Sequence, residues 1–240
     1  RVHDLHNEEK MKDLAKLLAN FNVKLKVSEE TKPGEVQKAL AEMAGKPEER
    51  LVSTVALRSL KQAVYQTENI GHFGLAAEYY THFTSPIRRY PDLIVHRLLH
   101  EWVSDPAMND QKSEKLELNL DAIAEHSSIR ERAAAEAERA TVDLKKAEYM
   151  AGHIGEEFDG VISGVTAFGM FIELENGVEG LVHISSLMDD YYEFYEDRYA
   201  LLGSHTRKVY RLGDPVRIEV LQVNIADRNI DFIMAGENDA

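Results

Sequence analysis

The stretch FDGVISGVTAFGMFIELENGVEGLVHI, residues 158–184, determines the architecture of the second half of the chain. β-Branched and aromatic residues alternate with glycines along it, which is typical of short strands joined by tight turns. Asn176 and Gly177 form a strong signal for a two-residue hairpin. Residues 215–221 (PVRIEVL) and 229–234 (NIDFIM) supply later strands. We therefore predict a five-stranded barrel of the OB type that begins near Gly155.

Upstream of this barrel the sequence is mainly helical. Apolar residues recur at helical spacing, and helices are predicted over residues 8–20, 34–45, 48–65, 86–103 and 119–152, the last with an interruption near 126–128. Residues 21–27 (FNVKLKV) alternate as a strand does. The expected fold is α+β, with a helical domain over residues 1–152 and a barrel domain over residues 155–236.

Composition excludes several classes of protein. With 44% hydrophobic and 29% charged residues in 240, the chain is globular rather than disordered. It has no cysteine, which excludes disulfide scaffolds and cysteine-based zinc sites and fits a reducing cytoplasm. No apolar run reaches the ~18 residues of a membrane span. We therefore expect a cytoplasmic protein without a membrane partner.

The charge is strongly acidic, with a net value of −14. Residues 155–240 alone carry six Lys and Arg against 17 Asp and Glu, a net charge of −11. A broad positive field supplies most non-specific affinity for nucleic acid. Any contact with nucleic acid must therefore be local.

Residues 72–97 (HFGLAAEYYTHFTSPIRRYPDLIVHR) contain an arginine pair close to a predicted helix start. Thr84 or Ser85 can cap that helix and Pro86 suits its first position, which places Arg88 and Arg89 in the first turns. Free N–H groups at a helix start favour an anion such as phosphate, and a guanidinium beside them completes a clamp. The alternative is an ordinary capped helix in which Arg88 pairs with Asp92 and Arg89 is solvated.

This segment, with HFGL, a following Tyr, TSPIRRYPD and a later His, resembles the signature of the ribonuclease II/ribonuclease R (RNB) family of exoribonucleases. RVHD at residues 1–4, LRSLKQAVY at 57–65 and the Glu131–Arg132 pair resemble its ribonuclease R branch, so the resemblance covers nearly the whole chain.

The resemblance implies a 3′→5′ exoribonuclease that hydrolyses single-stranded RNA to nucleoside 5′-monophosphates. Such enzymes use Mg²⁺ held by an aspartate cluster. One arginine of the signature contacts the phosphate near the scissile bond and stabilises charge in the transition state. Arg88 matches that arginine best, and Arg89 is the second candidate.

The chain departs from the family in its metal site. The family's aspartate cluster lies upstream of the signature, and no such cluster precedes it here. We expect the metal ligands to lie in a missing N-terminal part of the same protein, so that this chain holds no metal and is inactive alone. Asp189 and Asp190 are better explained as capping a turn. The histidines His72, His82, His96 and His100 are expected to have structural or solvent-facing roles.

Residues 155–235 resemble an S1 RNA-binding domain. The aromatic positions of its RNA face carry over to Phe168, Phe171 and His183, and Phe158 is expected to extend the platform. The family often has an Asp and an Arg four residues apart in the last hairpin, and here the positions read Asn224 and Arg228. Exposed aromatic rings bind single strands by stacking on bases. The alternative is that the phenylalanines form barrel core.

Two other functions remain open. The chain could belong to a non-catalytic single-stranded RNA-binding protein that uses an S1 domain, or be a structural remnant whose catalytic half was lost. The segment at residues 72–97 favours the enzyme, because a pure binding module has no need of it.

Overall fold

A computed structural model describes residues 1–4, 7–28, 31–46, 48–104 and 110–236, with side chains omitted for 110–118 and 197. The chain divides into two compact units, one made of Arg1–Glu42 and Thr54–Glu136 and the other of Met43–Ser53 and Ala137–Ala240. The proposed domain boundary at residues 152–155 stays a prediction, because the unit that holds the barrel also takes in residues 137–152.

Five α-helices occupy the first part of the chain: α1 (Glu8–Ala19), α2 (Pro33–Ala41), α3 (Glu49–Ser59), α4 (Tyr90–Ser104) and α5 (Asp110–Met150). Helix α1 begins where the Asn7 side chain accepts the Lys10 N–H, and it buries the apolar residues that its sequence spacing predicted. The α+β class and the predicted order of helices are confirmed. No helix in the described part of the chain combines the length and apolarity needed to cross a bilayer.

Three predicted boundaries were wrong. Helix α5 continues through residues 126–128, where the Ser128 hydroxyl donates to the Ala124 carbonyl within the helix. Helix α3 ends at Ser59 rather than residue 65, because Val64 instead pairs with Val2 and the Tyr65 N–H donates to Ser128. The strand predicted at residues 21–27 does not form, although Val23 is buried.

The barrel is closed by five strands in the order β1 (Glu157–Thr166), β2 (Gly169–Leu174), β3 (Glu179–His183), β8 (Asn229–Met234) and β7 (Pro215–Asn224). Strands β3 and β8 are parallel, and the other pairs are antiparallel. The interior is filled by alternate residues of every strand, among them Ile162, Met170, Ile172, Val182, Ile218 and Phe232. The predicted five-stranded barrel is confirmed.

A second sheet of three short strands was not predicted. It consists of β4 (Tyr192–Tyr195), β5 (Ala200–Gly203) and β6 (Val209–Arg211). The tyrosine-rich segment contributes to it by packing, since Tyr192 is buried with its ring 5.5 Å from that of Tyr210.

Asp190 caps a turn beside this sheet, which confirms the structural interpretation of the Asp189–Asp190 pair. Its carboxylate accepts the N–H groups of His205 and Thr206 and the Thr206 hydroxyl. Burial by itself would raise the pKa of Asp190, but the hydrogen bonds from Thr206 and His205 bring that pKa far below its ordinary value. The carboxylate is therefore a fixed part of the fold.

Candidate nucleic-acid interface

The arginine pair lies in a turn that precedes α4 rather than inside the helix. The N–H groups of Arg88 and Arg89 both donate to the Ser85 carbonyl, at 3.2 and 3.0 Å, and the helix starts at Tyr90. The prediction that Pro86 opens the helix was wrong, and Pro91 supplies the reason. A helix from residue 86 would place Pro91 in its interior, where a missing N–H is costly, whereas a start at Tyr90 places it in the first turn.

The two arginines have different surroundings. The Arg89 guanidinium donates to Asp92 Oδ2 through Nε (3.2 Å) and Nη2 (2.8 Å), and the same oxygen accepts the Ser85 N–H (2.8 Å). Thus Arg89 forms the ion pair that had been considered for Arg88. Arg88 is exposed, and no hydrogen bond or ion pair of its side chain occurs within the described residues. Arg88 is therefore available to an anion, and Arg89 is committed to the fold.

Asp92 is the anchor of this turn. Its side chain is fully buried, and burial alone would raise the pKa of its carboxyl. The hydrogen bonds from Ser85 and Arg89 more than offset this effect and lower the pKa below its ordinary value. Asp92 thus stays ionised and holds Arg89 at the start of α4.

A second set of contacts surrounds the histidines near this turn. His82 Nδ1 lies 2.8 Å from the Tyr65 hydroxyl, and burial together with the nearby Arg89 lowers the pKa of His82. His96 Nε2 contacts the Phe83 carbonyl at 2.9 Å, and the two rings stack. Burial and the neighbouring His3 lower the pKa of His72. These contacts are of the structural kind expected from the sequence.

Glu131, of the Glu131–Arg132 pair, has a definite partner in the structure. Its carboxylate lies 2.5 Å from Arg1 Nη1. The Arg1 guanidinium in turn lies 4.6 Å from the centre of the Tyr65 ring.

Three predicted aromatic positions meet on the outer surface of the barrel. Phe168 precedes β2 and is 49% exposed, and Phe171 lies on β2 between the inward-facing Met170 and Ile172. Their rings contact edge to face with centroids 6.0 Å apart. His183 is exposed at the end of β3, opposite Gly169 in the ladder. Phe168, Phe171 and His183 are called the aromatic patch below.

Two glycines shape this patch. Gly169 has φ +151°, and a Cβ there would lie 2.3 Å from the Val182 carbonyl oxygen, so β2 and β3 can approach closely beside His183. Gly164 faces Phe171 across the β1–β2 ladder, and a Cβ there would already touch the Phe171 ring at 3.4 Å. No side chain of Gly164 therefore covers the Phe171 ring on the side of β1.

Arg228 lies in the turn between β7 and β8, exposed and with φ +60°. Asn224, which stands where the family often has Asp, donates to the Asp227 carboxylate at 2.7 Å. The Asn224 side chain is thus used within the turn, while no partner of the Arg228 side chain occurs among the described residues. Arg228 and Phe171 line the same cleft of about 380 Å³.

The structure does not bring Phe158 to the patch. It lies on β1 six residues before Gly164, the ladder partner of Phe171, a separation of about 20 Å along a strand. Its ring instead contacts His153, with centroids 5.9 Å apart. This placement does not support an extension of the platform by Phe158.

Two residues of the cleft were missed by sequence reasoning. Asp143 and Lys146 of α5 line it together with Phe171 and Arg228. They come from a charged, alanine-rich helix whose sequence carries no signal of proximity to the barrel. In the described part of the chain, no three or more His, Asp or Glu side chains are grouped so that they could hold a metal ion.

Comparison with protein families divides the chain in two. Residues 1–105 match the RNB domain, and residues 153–234 match the S1 RNA binding domain. Both matches agree with the signatures at residues 72–97 and 158–184.

Several curated proteins are similar over nearly the full chain. Ribonuclease R of Aquifex aeolicus is 46% identical over 97% of this chain, and ribonuclease R 1 of Lactococcus lactis is 45% identical over 97%. A structure of Mycoplasma genitalium RNase R in complex with ribose methylated single-stranded RNA superposes with a TM-score of 0.85 at 29% identity and covers 98% of this chain. The chain spans only 28–33% of the two curated relatives and 37% of that structure.

Proposed function

We propose that this chain, which matches the RNB domain over residues 1–105 and the S1 RNA binding domain over residues 153–234, is part of a 3′→5′ exoribonuclease of the ribonuclease R type. The proposed reaction is hydrolysis of single-stranded RNA to nucleoside 5′-monophosphates. The observation that carries the proposal is the turn before α4, which pairs Arg89 with a buried carboxylate and leaves Arg88 exposed and unpaired among the described residues.

In this proposal Arg88 binds the phosphate at the scissile bond. Its guanidinium can offer two parallel N–H donors to phosphate oxygens, and it keeps its charge at any working pH. Negative charge on those oxygens develops in the transition state, where fixed donors contribute most. The Arg89–Asp92 pair keeps the turn in place and so acts as a positioning device for Arg88.

Mg²⁺ does not fit the residues described here. Asp92 and Asp190 are held by hydrogen bonds within the fold, and no three or more His, Asp or Glu side chains among the described residues are grouped so that they could hold a cation. We therefore assign metal binding to other parts of the full-length protein and derive no step through it.

The barrel contributes binding of the RNA strand. The aromatic patch presents ring faces and edges that stack on bases without reading sequence. Stacking needs no net positive field, which suits a region with a net charge of −11. The structure of the similar Mycoplasma genitalium protein in complex with ribose methylated single-stranded RNA supports single-stranded RNA as the ligand.

The second candidate is a non-catalytic single-stranded RNA-binding protein. The aromatic patch favours it, because that surface would serve equally well without any chemistry. A non-catalytic function, however, assigns no role to Arg88, which has no partner among the described residues, while the neighbouring Arg89 pairs with Asp92. The two functions differ in whether the full-length protein shortens RNA.

The first prediction tests catalysis. With a 5′-labelled single-stranded RNA and MgCl₂, the full-length protein should produce a ladder that shortens from the 3′ end, and EDTA should stop it. The 240-residue chain should leave the RNA intact, because it lacks the metal ligands. Magnesium-dependent laddering by this chain alone would contradict the assignment of the metal site, and a full-length protein without nuclease activity would favour the second candidate.

The second prediction tests the aromatic patch. Replacing Phe168 and Phe171 together by Ala in the 240-residue chain should weaken binding of single-stranded RNA at least tenfold, since each stacked base contributes about 1–3 kcal/mol. A matched control replaces the exposed Tyr191 and Tyr195 of the same unit by Ala and should leave the affinity unchanged. Fluorescence anisotropy gives the affinity and circular dichroism the folded state. Equal affinities for both variants would remove the patch from the interface.

A further inference from the structure

The cleft beside the aromatic patch is built partly from outside the S1 domain. Its wall on the barrel side includes Phe171 and Leu181, and its other wall includes Lys146, seven residues before the matched S1 segment begins. Its volume of about 380 Å³ lies within the range of small-ligand sites, about 300–1,000 Å³. One nucleotide of an RNA strand fits such a space.

The cleft holds two cations that the fold does not use. Lys146 is half-buried and Arg228 is exposed, and neither side chain has a hydrogen bond or an ion pair with any residue that the structure describes. Lys145, the next residue of the same helix, differs because it pairs with Glu148 at 2.6 Å and is 69% exposed. A half-buried ammonium that forms no contact ion pair gains stability when an anion binds directly to it.

Three carboxylates also line the cleft, and they restrict where an anion can bind. Glu179 accepts the Ser163 hydroxyl at 2.6 Å, and Asp231 accepts the Gln222 amide at 2.7 Å, while Asp143 is exposed on α5. They form no candidate metal site among the described residues. A phosphate that enters the cleft is therefore repelled by the carboxylates and attracted by Lys146 and Arg228.

From this arrangement we infer that the cleft is a subsite for one nucleotide of single-stranded RNA, in which Lys146 of α5 binds a backbone phosphate. The inference rests on the proposed RNA-binding function of the barrel and extends it to a residue outside the S1 domain. Arg228 binds the adjoining phosphate, and Phe171 serves both the aromatic patch and the cleft.

The third prediction compares two neighbouring lysines. We would measure anisotropy of a 5′-fluorescein-labelled 12-nucleotide polyuridine RNA with the 240-residue chain over a series of KCl concentrations. Lys146→Ala should weaken binding about ten- to 100-fold, the usual range for one lost hydrogen bond to a charged group. It should also reduce the slope of log K against log salt by about 0.7, the value for one phosphate contact on a single strand. Lys145→Ala removes the same charge and should change the affinity less than twofold.

A chemical footprint on the unaltered chain makes the test independent of variant folding. Acetylation with an N-hydroxysuccinimide ester, followed by mass spectrometry, should show Lys146 shielded by the RNA while Lys145 reacts equally with and without it. The subsite would be overturned if the two lysine variants bound RNA with equal affinity. It would also be overturned if RNA left both Lys145 and Lys146 fully reactive toward acetylation. If either result is obtained while the Phe168/Phe171 variant still loses affinity for RNA, the barrel binds RNA but the subsite at Lys146 is wrong. An unaltered chain that binds no RNA would overturn both.

Discussion

Replacing Arg88 by Ala in the full-length protein should lower kcat on single-stranded RNA by about 10²–10³-fold. The dissociation constant for a short RNA should change only severalfold. The reason is that a fixed donor contributes most where charge develops in the transition state and much less to the ground state. Arg88 meets the structural requirement, since its side chain is exposed and its backbone is fixed by the hydrogen bond to Ser85.

Two further variants make this result specific. Arg88→Lys keeps the charge but loses the planar fork of donors, so its kcat should lie between those of the unaltered protein and Arg88→Ala. Arg97→Ala removes an exposed arginine from α4 and should leave kcat unchanged. Single-turnover kinetics separates the chemical step from binding. An unchanged kcat with collapsed affinity would make Arg88 a binding residue only.

The barrel could be predicted because the sequence pattern that specifies its first strands lies within one short segment. Alternation along residues 158–184 and the Asn176–Gly177 turn specify a hairpin without reference to the rest of the chain. Strands β4, β5 and β6 were missed because each has only three or four residues, too few for a pattern to emerge. Residues 21–27 show the opposite error. Their sequence alternates as a strand does, but they form no strand in the described part of the chain.

Residue spacing alone could not show which of the two arginines pairs with Asp92 and which is exposed. A helix that starts at Pro86 would pair Arg88 with Asp92 at i,i+4, and a helix that starts at Tyr90 pairs Arg89 with Asp92 instead. Pro91 was the available signal, because a proline is tolerated in the first turn and disrupts the interior of a helix. The position of Lys146 had no such signal, since its place in the cleft depends on how α5 packs beside the barrel.

The structural role of Arg89 leads to the second large effect, which is on stability. Arg89→Ala in the 240-residue chain should lower the free energy of unfolding by about 3 kcal/mol, because it leaves the buried Asp92 carboxylate without its counter-ion. The other oxygen of that carboxylate, Oδ1, is already buried without a partner within the described residues. For a chain of this size the expected drop in Tm is about 6–12 °C. Arg88→Ala is the matched control and should leave Tm unchanged.

The pH dependence identifies the carboxylate as the source of this loss. The pKa of Asp92 is lowered in the folded protein, so its contribution to stability is present above the unfolded pKa, near 3.8, and is lost as pH falls through the folded value. The difference between the unaltered chain and Arg89→Ala should therefore be largest near neutral pH and shrink as pH falls below about 4. Adding Asp92→Asn to Arg89→Ala removes the unpaired charge and should recover part of the loss at neutral pH. Urea unfolding at pH 7 and pH 3 measures both effects. A loss that is independent of pH and not relieved by Asp92→Asn would show that Arg89 stabilises the fold by packing rather than by its charge.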